Sequence, residues 1–284
     1  MTVSISHPHR TPISLPLRAW LAVEIFFGVA AIGAVFVAPD QTSTNFAWPI
    51  QPTVMAATFG SFYLYVGLMF ILGTFAGRWQ QVRAISIPAA IFTAFMLLTT
   101  FLHWDKFNLA IPPFYVWFAS YLLPPPIFAG LFYTHQKKSA PIGRRRLRPI
   151  VQPIRQFWFI NGLIITLIAL LFYLVPSLLV AIAPWTMTPL TARTLCGWLI
   201  GVGTLQLWMA WEGDWARIKI ASTMLIMLPF ALLFQWVRYS AEVNWSNLSL
   251  WLMLLDFSLN SLLCLALWRI WASWRSSMVD DVVG

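Results

Sequence analysis

The amino-acid sequence predicts an all-α integral membrane protein with eight transmembrane helices, arranged as two four-helix repeats in the same orientation. Composition, the spacing of apolar stretches and a basic segment near the middle of the chain predict this fold. Of the 284 residues, 60% are hydrophobic and only 10% are charged, and the mean hydropathy is +0.74. Soluble domains are about 25% charged, so this chain has too few charges to cover a water-facing surface.

Eight apolar stretches are close to the roughly 20 residues with which a helix crosses about 30 Å of hydrocarbon. Backbone groups in lipid must be hydrogen-bonded internally, and the alternation typical of barrel strands is absent, so we predict helices. The predicted spans cover 17–37, 52–75, 84–101, 112–133, 157–182, 191–211, 218–237 and 248–271. The first stretch follows Arg10 and Arg18 but has a poor cleavage site, so we interpret it as a retained helix and not as a signal peptide.

These spans divide the chain into five parts. We predict a cytosolic N-terminal tail (1–16), a first four-helix repeat (17–134), a basic cytosolic linker (135–156), a second four-helix repeat (157–272) and a cytosolic C-terminal tail (273–284).

The distribution of Lys and Arg predicts the orientation in the membrane. With the N-terminus inside, fifteen of the 18 basic residues lie on the inner side, and the exceptions are Lys106, Arg193 and Arg238. Cytosolic loops of membrane proteins carry such an excess. We therefore predict that both termini are cytosolic, in a plasma membrane of the bacterial type.

The predicted linker is the most basic segment. Its members are Lys137, Lys138, Arg144, Arg145, Arg146, Arg148 and Arg155. Positive charges beside apolar spans attract anionic lipid head groups, so we expect membrane lipids as partners of the linker and no nucleic acid, despite the net charge of +9. A docking site for an anionic protein partner is the alternative.

An internal repeat is visible when the chain is compared with itself. At an offset of 137, Pro52 meets Pro189 and Gly60 meets Gly197; at 136, Trp79, Ser86 and Asn108 meet Trp215, Ser222 and Asn244. An even number of spans in each half gives the halves the same orientation, so we expect a pseudo-twofold axis along the membrane normal.

Ionisable groups within spans are costly and indicate function. Asp256 lies in the last predicted span with Asn260 one turn further on, and Glu24 lies in the first, at the position that Asn161 occupies in the fifth. We predict that these four residues handle a ligand or a proton near the interface of the repeats. Pairing within the bundle interior is the alternative.

Polar residues also gather at the predicted outer ends of the spans. They are candidates for lining an outer vestibule shared by the two repeats: His103, Asp105, Asn108, Arg193, Arg238, Glu242 and Asn244. Helix capping and exposed ion pairs are the alternative explanation.

Many of the 17 tryptophans lie near predicted interfaces, where aromatic rings commonly form a belt at the head-group level. A stacking site for a sugar or aromatic ligand is the alternative. The tryptophans near predicted interfaces include Trp20, Trp48, Trp79, Trp104, Trp117, Trp185, Trp211, Trp215, Trp245 and Trp251.

Several chemistries are disfavoured. The sequence contains no P-loop, HExxH or GxSxG pattern and no pair of histidines within spans for haem, and the cysteines, Cys196 and Cys264, are expected to be apolar fillers. We therefore expect no metal, no cofactor and no catalytic residue.

The leading hypothesis is a protein that binds or transports a small or lipid-like ligand between its repeats. The alternatives are a non-catalytic membrane subunit of a larger complex and an intramembrane lipid-modifying enzyme that uses His103 with Asp105.

Overall fold

A computed structural model describes the backbone of residues 11–139 and 148–283, and the side chains as far as Trp271. These residues form helices and turns, with no β-strand in the described ranges. The helices of the first half are α1 (Leu15–Ala31), α2 (Thr42–Asn45), α3 (Thr53–Thr74), α4 (Trp79–Leu102), α5 (Pro112–Leu122) and α6 (Pro124–Lys138). Those of the second half are α7 (Gln152–Leu174), α8 (Pro176–Ile182), α9 (Pro189–Glu212), α10 (Trp215–Arg238) and α11 (Leu248–Val283).

Seven helical segments of the described chain are long and apolar enough to cross a membrane, so the chain is an all-α, multi-pass membrane protein. They are Leu15–Val37, Thr53–Thr74, Trp79–Leu102, Pro112–Lys138, Gln152–Leu174, Trp215–Arg238 and Leu248–Trp271. The remaining predicted span, 191–211, lies within α9, a helix of 24 residues that is less apolar because it carries Arg193, Gln206 and Glu212. Eight spans therefore stay a prediction.

Four helices form the centre of the bundle. Helix α3 packs against α10 and α4 against α9, and α4 also contacts α10. The other long helices lie outside this group, α1 against α3, α6 against α4, α7 against α9 and α11 against α10. The central position of α9 explains its polar residues, because its side chains contact protein on most sides and need not face lipid.

Prolines divide two of the predicted spans. Span 112–133 is split at Leu123, where Pro124–Pro126 begin α6, and span 157–182 is split at Val175, where Pro176 begins α8. Proline lacks the amide donor that would continue the helical ladder, so each predicted single helix is two helices in sequence.

The end of the first span is also irregular. After α1, residues Ile32–Val37 form a π-helical segment, closed by the amide of Ala38 donating to the carbonyl of Gly33. A Cβ added at Gly60 of α3 would lie 2.5 Å from the Cα of Phe36. Only glycine permits this approach of the two helices.

Helices extend into the segments predicted as the linker and the C-terminal tail. Helix α6 continues to Lys138, α7 already begins at Gln152, and α11 continues through the predicted tail to Val283. The start of the N-terminal tail (1–10) and the Arg144–Arg146 cluster lie outside the described residues.

Five of the ten tryptophans near predicted interfaces pack inside the protein and do not face lipid head groups. Trp48, Trp79, Trp117, Trp185 and Trp215 are all buried within the protein. Their rings pack on other aromatic rings, as in the contact of Trp48 with Trp117, whose centroids lie 4.7 Å apart. Large rings near span ends therefore fill the core here, in addition to facing head groups.

The prediction for the cysteines holds, since Cys196 and Cys264 are both free and buried.

Candidate functional site

A partly open cavity of about 290 Å³ lies between α1, α3, α4 and α5. Helix α9 closes its inner wall with Trp198, Gly201, Val202 and Leu205. Most of the lining residues thus belong to the first half of the chain, and the second half contributes one wall. The predicted ligand site was placed near the interface of the two halves.

Small residues on α1 and α4 leave the space open. Gly28, Ala31 and Ala34 follow one face of α1 and its π-helical end, and Pro88 and Ala89 line the opposite wall on α4. Pro88 lies inside α4, where it cannot donate its backbone amide to the preceding turn. Ala30 and Pro112, which also line the cavity, are exposed on the surface of the molecule, so the opening lies between α1 and α5.

Glu24 is the one carboxylic acid among the described residues that line this cavity. Its residue is 5% exposed, and its Oε1 atom has no hydrogen-bond partner. No Lys, Arg or His belongs to the described lining. A buried polar atom without a partner costs free energy, so the carboxyl of Glu24, a residue that lines the cavity, is a candidate ligand contact.

Three tyrosines contribute further polar groups to the lining of the cavity. The hydroxyls of Tyr63 and Tyr121 lie 2.6 Å apart and share a hydrogen bond. The hydroxyl of Tyr65 is buried and has no partner. With Trp198 and Phe92, whose ring centroids lie 4.2 Å apart, these residues give the site an aromatic wall.

The other three predicted ligand residues form a separate cluster, and none of them lines the cavity. Asn161 donates to the Oδ1 atom of Asp256 over 2.7 Å and to Gln206 over 2.9 Å. Asn260 donates to the backbone carbonyl of Asp256 and accepts from the indole of Trp158. This polar cluster joins α7, α9 and α11 by internal hydrogen bonds and is the arrangement expected of structural pairing.

The predicted outer residues are held in local contacts. Arg193 lies 2.8 Å from the Nε2 atom of His103 and donates to the carbonyl of Tyr173. Burial and the charge of Arg193 lower the pKa of His103, so its imidazole is neutral near pH 7. The neighbouring Asp105 is exposed and pairs with Lys106, whose hydrogen bond lowers the pKa of the carboxyl.

The remaining outer candidates connect backbone segments. Arg238 donates to the carbonyls of Phe36 and Val37, and Glu242 accepts from the amide of Val54 over 2.6 Å. Asn108 and Asn244 use their side-chain oxygens to close turns that precede α5 and α11. None of the seven outer candidates lines the 290 Å³ cavity, and a shared vestibule stays a prediction.

A buried ion pair lies at the opposite end of the bundle. The Nε atom of Arg83 is 2.7 Å from Glu212, whose other oxygen is 3.4 Å from Arg217. The side chains of Arg83 and Glu212 are only 6% and 1% exposed. Trp208 donates to Glu212, and the guanidinium of Arg83 lies over the ring of Trp211. This cluster joins α4 to α9 and α10.

Sequence reasoning named Glu24, which lines the cavity, but did not predict the tyrosines of the lining or the buried ion pair of Glu212. Tyr63, Tyr65 and Tyr121 lie within apolar spans where tyrosine is common, and only the packing brings them to one cavity. Glu212 could have been found, because a carboxylate at the end of a predicted span must find a cation, and Arg83 and Arg217 were available at the same membrane level.

Comparisons with known protein families, with curated proteins and with solved structures find no match for this chain. The function is therefore inferred from the geometry of the cavity.

Proposed function

We propose that this protein binds a small, largely apolar molecule in the Glu24 cavity, and that its chain forms eight spans in two equivalent four-helix units. The observation that carries the ligand proposal is the combination of an open 290 Å³ space with an unpartnered oxygen of Glu24 on its wall. Ligand pockets are concave and mainly apolar with a few polar groups that fix orientation.

Matching backbone contacts support the two equivalent units. The amide of Trp79 donates to the carbonyl of Thr11, and that of Trp215 donates to Arg148. The two donors, Trp79 and Trp215, are 136 residues apart, and the two acceptors, Thr11 and Arg148, are 137 residues apart. These are the offsets of the repeat in the sequence. The amides of Asn108 and Asn244 repeat the pattern, donating to Ala47 and Pro184.

Helix boundaries and pairings support the same proposal. Shifting α4 (Trp79–Leu102) by 136 residues gives the bounds of α10 (Trp215–Arg238). The pairing of α3 with α10 corresponds to that of α9 with α4, and α1 on α3 corresponds to α7 on α9. Helix α9 then corresponds to α3, a helix that meets the criteria for a span, and this correspondence supports α9 as the eighth.

The alternatives lack comparable support. An enzyme using His103 with Asp105 needs the two side chains to act as a pair, but the His103 Nε2 atom contacts Arg193 and Asp105 pairs with Lys106. For a subunit of a larger complex, no feature of the described residues distinguishes a partner surface from a lipid-facing one.

Ligand-induced stabilisation in nanodiscs of zwitterionic lipid tests the proposal. Butylbenzene, a small neutral probe, should raise the Tm of the wild-type protein, because a ligand at 100 times its Kd stabilises by about 2.7 kcal/mol. Ala89→Phe places a ring in the cavity and should abolish the shift. Ala129→Phe adds the same ring at an exposed position of α6 outside the cavity and should leave the shift unchanged. Equal shifts in all three proteins would contradict the proposal.

A further inference from the structure

We infer that the natural occupant of the cavity is an organic ammonium ion: a molecule with an apolar body and a positively charged N–H donor group that contacts Glu24. The inference rests on the proposed function and specifies its ligand class.

The polar atoms that lack partners define what the ligand must offer. Glu24 Oε1 and Asn45 Oδ1 are both buried acceptors without a hydrogen bond, and both residues line the cavity. The amide nitrogen of Asn45 is already used, donating to the carbonyls of Ala34 and Ala38. These two oxygens therefore need a donor from outside the protein.

The second half of the chain contains the donors that the first half lacks. Asp256 accepts from the amides of Asn161 and Asn260, two donors on its own side of the bundle. At the offsets of 137 and 136, these two positions correspond to Glu24 and Pro124, neither of which is an amide donor. Glu24 itself stands at the repeat position of the donor Asn161, and no described group donates to its Oε1 atom. A ligand with N–H groups would supply the corresponding donors.

Charge and ring geometry select a cation over a neutral donor. Glu24 is the only carboxylic acid among the described lining residues, and none of these residues carries a basic side chain. The rings of Tyr63, Tyr121 and Trp198 line the same cavity as Glu24, and the centroids of Tyr63 and Trp198 lie 4.9 Å apart. Aromatic faces attract ammonium groups, most strongly in desolvated sites. Carboxylate and rings together favour a cation and disfavour fatty acids or other anions.

A matched pair of probes tests the ligand class separately from the proposed function. 3-Phenylpropylammonium and butylbenzene have the same number of heavy atoms and differ in an ammonium for a methyl group. We expect the ammonium to bind the wild-type protein in zwitterionic nanodiscs about 10- to 100-fold more tightly, as a hydrogen bond to a charged group contributes. Kd values would come from the dependence of Tm on free ligand concentration.

Two variants locate the effect. Glu24→Gln should weaken binding of the ammonium about 10-fold or more and leave the affinity for butylbenzene unchanged, so binding of the neutral probe also shows that the variant is folded. Asp256→Asn removes another acid within the spans, outside the cavity, and should alter neither affinity. If Glu24→Gln binds the ammonium as tightly as the wild type does, or if butylbenzene is the tighter ligand, the inference is wrong while the proposed function stands. If neither probe binds, both are wrong.

Discussion

Replacing Glu212 by Gln should strongly destabilise the protein, because it removes the anion from a buried cluster of two arginines. The side chain of Arg83 is 6% exposed and lies 2.7 Å from Glu212. Arg217 is 17% exposed and lies further away, at 3.4 Å, so it can reach water more easily. The uncompensated charge of Arg83 dominates the expected cost.

The magnitude follows from the burial of this pair. Removing one partner of a buried ion pair costs about 3–5 kcal/mol, because the other charge stays desolvated. The ratio of folded to unfolded protein should then fall at least about 100-fold. The ring of Trp211 lies 5.2 Å from the guanidinium of Arg83, and such cation–π contacts contribute about 0.5–2 kcal/mol. This contact is already present in the wild type, so it offsets little of the loss in the variant.

Equilibrium unfolding in detergent micelles, followed by tryptophan fluorescence, measures the effect. Asp105→Asn is the control, since it removes an acid from an ion pair whose side chains are 71% and 63% exposed and should leave the unfolding midpoint unchanged. The double variant Arg83→Leu with Glu212→Leu should be more stable than Glu212→Gln alone, because both buried charges are removed together. A Glu212→Gln protein as stable as the control would refute the reasoning.

Three further predictions concern packing, the polar cluster and pH. Gly60→Ala should destabilise by about 1–3 kcal/mol in the same unfolding assay, because its Cβ would overlap Phe36, whereas Gly130→Ala, with no atom within 4 Å of the added Cβ, should not destabilise. Asn161→Leu should cost about 1–3 kcal/mol by removing the 2.7 Å donor to the carboxyl of Asp256, and a variant with an unchanged midpoint would count against the cluster. The folded protein lowers the pKa of His103 below its unfolded value, so its contribution to stability is present above about pH 6.5 and is lost as pH falls towards the folded pKa. The difference in midpoint between wild type and His103→Gln, measured across that acid range, should therefore change with pH; a constant difference would contradict the assignment.

The membrane helices were predictable because the bilayer imposes a simple rule on sequence. Each of the seven helical segments that meet the criteria for a span overlaps a predicted one, since length and apolarity determine both. The helix breaks at Leu123 and Val175 were not predicted, because hydropathy does not detect a missing backbone donor. Pro124 and Pro176 mark these breaks in the sequence. Helix α9 shows where this rule is weak. A helix at the centre of the bundle can carry polar residues, and its hydropathy is then lower than that of the other predicted spans.

The candidate site was only partly predictable. The sequence by itself determined that Glu24 and Asp256 are acids within apolar helices and must find partners or bind something, because a carboxyl is costly in hydrocarbon. Only the tertiary structure decided that Asp256 receives amide donors from Asn161 and Asn260 while Glu24 faces a cavity. When all faces of a helix are apolar, periodicity does not indicate which face meets protein. The direction of each side chain, and hence the site, depends on how the helices pack.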